Sequence, residues 1–231
     1  MWKLMLAPFL AALCGCANVN YQSTKAGKFE GELAVVWLKG TKGSGDGTFV
    51  YVPTPNRPLT FVRPDGTKIE PTMIYTDGGS VPSLARAFNG LTPWNYGPAY
   101  IVHDWLFRAR QCWTAGKERP EYAVVADMTF EESARIIAES IKALHDSGRV
   151  RQDDVSGAAV TAAVTSPFSY QYWTEKNTCT EVTADHRRLA LEAVGRSPDI
   201  GDRSRVRLAM APEATGPEPT NAVVVAVASF D

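Results

Sequence analysis

Apolar and polar residues alternate in short runs through the front of the chain, at Glu32–Leu38, Thr48–Val52, Leu59–Val62 and Lys68–Tyr75, and these predict β-strands. Gly43-Ser44-Gly45-Asp46-Gly47 separates the first two runs, and Pro64-Asp65-Gly66 marks a turn between the last two. Pro71 lies inside the fourth run and restricts it to a sheet edge or a bulge. Short strands joined by turns predict an antiparallel sheet in the first third.

After Tyr75 the spacing becomes helical. Thr76-Asp77-Gly78-Gly79-Ser80-Val81-Pro82 reads as a loop followed by a short helix, and Pro98 to about Arg110 as a helix with proline in its first turn. A second long helix is predicted from about Pro120 to Asp146, with apolar positions 123, 130, 134, 137, 141 and 144 and a stop at Gly148. Asp153–Val164 and Ala184–Val194 add two more. Pro212–Pro219 is linker-like, and the apolar run Val223–Val227 fits an added edge strand or a mobile tail. The expected fold class is α+β, with the N-terminal antiparallel sheet packed on a helical half. A single domain is expected over 30–195, with 196–231 as a linker-like C-terminal extension.

Composition narrows the class of partner. The 231 residues carry 24 basic and 25 acidic side chains, a formal charge of −1, which removes the electrostatic reason to expect nucleic acid. Lys3 precedes the ten-residue apolar run Leu4–Leu13, which is too short to span a bilayer and has the size of a signal-peptide core. Leu13-Cys14-Gly15-Cys16 resembles the bacterial lipobox, which implies cleavage before Cys16 and acylation of that cysteine, palmitate among the acyl chains. Residues 1–15 are then a signal peptide and 16–29 a tether. Ala17 points to the outer membrane, facing the periplasm, so the membrane is the expected partner. Cys112 and Cys179 remain, and in an oxidising compartment they are expected to form a disulfide closing a loop of 67 residues.

The candidate chemistry lies between residues 77 and 127. His103 and Asp104 are adjacent in the apolar segment Ala99–Phe107, with His103 on or beside the buried stripe. Asp127 falls between Ala123 and Phe130 on the apolar stripe of the next predicted helix, where an unpaired carboxylate would be costly. His103 is its cheapest partner, and a histidine oriented by a carboxylate can act as a general base. Asp104 points about 100° away around the helix. With Asp77 and loop carbonyls it could hold calcium. Ser80 with His103 and an aspartate could form a nucleophilic triad. Each residue also has a structural reading: a core histidine, a helix cap at Asp127, and turn or cap roles for Asp77 and Ser80. His145 reads as a cation complementing a helix C-terminus, and His186 as part of a solvated face.

Thr76-Asp77-Gly78-Gly79-Ser80-Val81-Pro82, Ala99…His103-Asp104-Trp105-Leu106-Phe107 and Ala126-Asp127…Phe130 together resemble the phage and bacterial family known as domain of unknown function 1353. Phe107 stands where that family usually has tyrosine. The order of a glycine-rich loop, a His-Asp helix and a later aspartate is also similar to the secreted phospholipases of the A-two class. That second resemblance implies water activation by His103, calcium at Asp104 and orientation of His103 by Asp127. The calcium-loop motif and flanking cysteines of those enzymes are missing here. Two functions follow as expectations: an envelope hydrolase using His103 as general base on a lipid ester or peptidoglycan amide, or a non-enzymatic, phage-derived or envelope binding or structural lipoprotein.

Overall fold

The computed structural model describes residues 19–40, 47–76, 96–150, 165–176, 178–197, 207–208 and 221–230. The fold is α+β, an N-terminal antiparallel sheet followed by helices. Its spine is β1 (Lys28–Lys39), which pairs with β2 (Gly47–Tyr51) along Val35–Lys39, with β3 (Thr60–Val62) along Lys28–Glu30, and with β7 (Ala222–Phe230) along Gly31–Leu38. β4 (Lys68–Ile69) extends β3, β5 (Ile74–Thr76) extends β2, and β6 (Arg207–Leu208) pairs with β7. The predicted fourth strand is therefore two short ones with Pro71 in the gap, as a residue without an amide donor requires.

Gly31 sits where β1 changes partners, at φ +86°, and a Cβ there would lie 2.1 Å from the Pro58 carbonyl oxygen. Only glycine meets both conditions without strain. Of the two expectations for Val223–Val227 the added strand holds: it lies in β7, bordered on its outer side by the two-residue β6. β7 flanks the central strand, so the folded unit takes in residues 222–230 from within the stretch that composition reads as linker-like.

β1 is buried on both faces, which is why its sequence is nearly continuous in apolar residues. Leu33 and Val35 pack into a core shared with α1 (Gly97–Thr114) and α2 (Phe130–Asp146). Ala34, Val36 and Leu38 pack into a second core with Ala190, Ala193 and Val194 of α4 (Ala184–Arg196). The short α3 (Pro167–Thr174) closes on α1 through Trp173, whose ring centroid is 5.0 Å from that of Phe107.

The helix expected from Pro120 to Asp146 is interrupted. Pro120–Val125 forms a 3-10 helix, and α2 starts only at Phe130. Thr129 caps it, its Oγ1 accepting from the Glu132 amide at 3.1 Å. The helix ends with Gly148 in the left-handed region, its amide bonded to the His145 carbonyl.

Two cross-links tie the layers. The Arg63 guanidinium, at the end of β3, binds Glu139 of α2 through Nε at 2.9 Å and Nη2 at 3.2 Å, and Glu132 through Nη1 at 2.7 Å. Arg63 and Glu139 are both buried. Cys112 of α1 is joined to Cys179, fixing the segment before α4 to the central helix.

Arg63→Ala is expected to destabilise the fold by about 3–5 kcal/mol, because Glu139 is left as a buried, uncompensated charge. The Arg63→Met, Glu139→Leu double variant should recover most of that loss in urea unfolding. Replacing both Cys112 and Cys179 by serine should cost about 4 kcal/mol, as expected for a 67-residue loop.

Candidate functional site

α1 presents the His-Asp pair because its sequence is apolar on almost every side. Thirteen of its eighteen residues are buried, His103 among them. The imidazole packs one turn along against Phe107, ring centroids 4.5 Å apart and planes tilted by 44°, and is only 7% exposed. Among the described residues its Nε2 has no hydrogen-bond partner. Burial alone, with no charge acting on it, pulls the imidazole down to about 4, so it is neutral near pH 7.

Asp104 faces another direction, as helix geometry requires. Its Oδ2 accepts a hydrogen bond from Thr76 Oγ1 at 2.9 Å, which fastens the end of β5 to α1. Thr76 carries no pattern of its own. Its position immediately before the glycine-rich segment is the only sequence signal for this role.

Asp127 does not meet His103. It is exposed, in the turn between the 3-10 helix and α2. The expectation failed because it placed Asp127 on the stripe of one continuous helix. The chain leaves helical geometry there, and Arg110 Nη1 binds the Val125 and Ala126 carbonyls at 2.9 and 2.7 Å. Thr129-x-x-Glu132, the spacing of a helix start, was the signal for the break. The alternative of a cap near Met128 was close, but the capping side chain is Thr129.

Asp77, Ser80 and the glycines between them lie outside the described residues, as do Cys16 and the predicted helix Asp153–Val164. Of the expected calcium ligands the described residues include Asp104, whose carboxylate accepts from Thr76. Among the described residues no group of three or more His, Cys, Asp or Glu side chains could hold a metal.

The other two histidines are joints. His145 lies between two tyrosine hydroxyls, Tyr96 at 3.0 Å from Nε2 and Tyr21 at 3.4 Å from Nδ1, linking the N-terminal segment and the start of α1 to the end of α2. His186 Nδ1 is 2.8 Å from the Tyr75 hydroxyl, which also accepts from the Thr183 amide at 3.0 Å. These contacts pin the start of α4 to β5, a role that the reading of His186 as a solvated face missed.

The unfolded chain protonates His103 near pH 6.5 and the folded chain near 4, so its contribution to stability is present above 6.5 and lost as pH falls towards 4. That contribution is about 3 kcal/mol across the window. His103→Leu is expected to match or exceed the parent in melting temperature at pH 7, because it removes a buried polar atom without a partner. The stability difference between the two proteins should widen in favour of the variant from pH 6.5 to 4, measured by urea unfolding.

Compared with known proteins, the chain matches no family model, no curated protein and no solved structure.

Proposed function

We propose that this chain is an exported, lipid-anchored envelope protein whose folded part is a binding module, with the His-Asp motif serving the fold. The observation that carries this reading is the arrangement on α1: His103 is buried and neutral, Asp104 is bonded to Thr76, and Asp127 is on the surface. A general base is most effective with a pKa near the working pH, and an imidazole titrating near 4 binds a proton too weakly for that work at pH 7.

Export is supported by two features. Leu13-Cys14-Gly15-Cys16 follows a signal-like apolar run, and the Cys112–Cys179 bond suits an oxidising compartment. The periplasmic face of the outer membrane is the proposed site, with the membrane as partner through acylated Cys16. Membership of the phage and bacterial family with the His-Asp-x-Leu motif remains part of this proposal and rests on the motif residues.

One observation favours the hydrolase reading as a second possibility. A buried nitrogen without a partner, such as His103 Nε2, is the kind of group a substrate or water can satisfy.

The full chain, expressed in a Gram-negative host with labelled palmitate, should take up the label and fractionate with the outer membrane, and Cys16→Ser should abolish both. The detergent-solubilised full chain should release neither fatty acid from phospholipid vesicles nor fragments from peptidoglycan, with or without added calcium. Release that His103→Leu removes would overturn the binding-module reading.

A further inference from the structure

The opposite stripe of α1 floors a cleft that the His-Asp motif does not use. Trp105, Arg108, Ala109 and Cys112 follow helical i, i+3, i+4, i+7 spacing and line one side of a cavity of about 310 Å³. Met73 and Ile74 form a second wall, Tyr122 of the 3-10 helix a third, and Val182 with Arg187 at the start of α4 a fourth. The volume is at the lower end of the roughly 300–1,000 Å³ range of small-ligand sites, so the space suits a single small molecule rather than a polymer.

Charge in the cleft is unequally matched. Arg119 and Lys117 both bind Glu181, at 2.6 and 2.5 Å, so that carboxylate faces two cations. Glu121 lies 3.9 Å from Arg119. Arg108 donates to Gln111 Oε1 at 3.1 Å and lies over the Tyr172 ring, both neutral partners. Arg187 forms no hydrogen bond or ion pair through its side chain among the described residues. It also sits in the first turn of α4, where a cation opposes the helix dipole. Two guanidinium groups without carboxylate partners among the described residues thus border a cleft whose two carboxylates, Glu121 and Glu181, are already engaged by Arg119 and Lys117, and whose remaining lining is largely aromatic and aliphatic.

We infer that this cleft binds a small organic oxyanion, a carboxylate or phosphate held between Arg108 and Arg187, with an apolar or aromatic body against Trp105, Tyr122 and Val182. Guanidinium groups suit this role because their planar donors match both oxyanions in bidentate geometry. The Cys112–Cys179 bond, with the ion pairs of Lys117 and Arg119 to Glu181, holds the segment carrying Val182 beside α1. The inference gives the binding module proposed above its ligand class and rests on that reading. The palmitate and hydrolysis assays do not involve the cleft, so the two can fail separately.

The test is calorimetric titration of the detergent-solubilised full chain with phenyl phosphate and, separately, with 3-phenylpropionate. Saturable one-to-one binding of either is expected, weakened about tenfold or more by Arg108→Ala and by Arg187→Ala, the loss expected for a charged hydrogen bond. Saturation by phenyl phosphate alone assigns a phosphate ligand, and by 3-phenylpropionate alone a carboxylate. Arg187→Ala changes an exposed side chain, so its melting temperature should match the parent and separate lost binding from lost fold. No saturation by either anion at about 10 mM, or equal affinity in the parent and both variants, would overturn the inference.

Discussion

Burial of α1 is the constraint from which the rest of the arrangement follows. A helix surrounded by sheet, α2, α3 and the 3-10 turn can satisfy its own backbone, but every polar side chain on it must find a partner nearby. Most do. Trp105 Nε1 donates to Thr72 Oγ1 at 3.0 Å, Gln111 Nε2 to the Tyr172 carbonyl at 3.2 Å, and Arg110 to the end of the 3-10 helix. Asp104 accepts from Thr76. Each bond also anchors a different neighbouring segment, so the polar residues of α1 locate the elements around it. Among the described residues His103 Nε2 finds no partner, and an unmade bond of that kind costs about 1–3 kcal/mol.

Around this helix the sheet and the cross-links divide the work. The sheet receives the α1–α2 layer on one face and α4 on the other, with β1, β2 and β7 each contributing side chains to both cores. Arg63 ties β3 to α2, and the disulfide ties the approach to α4 to α1. The cleft beside Trp105 exists because the 3-10 helix, the β5 approach and the α4 start are all held against one stripe of α1 without filling it.

Much of this was legible in the sequence, and the failures have physical causes. Period-two runs located β1, β2 and β3, and the helical spacing of α1, α2 and α4 was visible because each buries a face. Pro71 announced the split of the fourth run. Val223–Val227 was legible as a candidate strand but its partner was not, because pairing with β1 is a contact across most of the chain and leaves no local mark. Asp127 was misplaced by a periodicity that spans a break, with Ala123 and Phe130 seven residues apart but in different elements. His103 was correctly read as lying at the buried face; what the sequence could not supply was that Asp127, its expected partner, is exposed instead. Arg108 and Arg187 share a cavity only through tertiary packing, and neither belongs to a recognisable motif.

The reading of α1 as a structural core helix depends on His103 being neutral and uncoupled to a carboxylate. Nitrogen-15 NMR of the imidazole in the folded, labelled full chain measures this directly. The account predicts that His103 stays neutral at pH 7 and takes up a proton only near pH 4. A midpoint at or above about 6.5, the value of an unperturbed histidine, would mean that a negative group or solvent reaches the ring, and would contradict it.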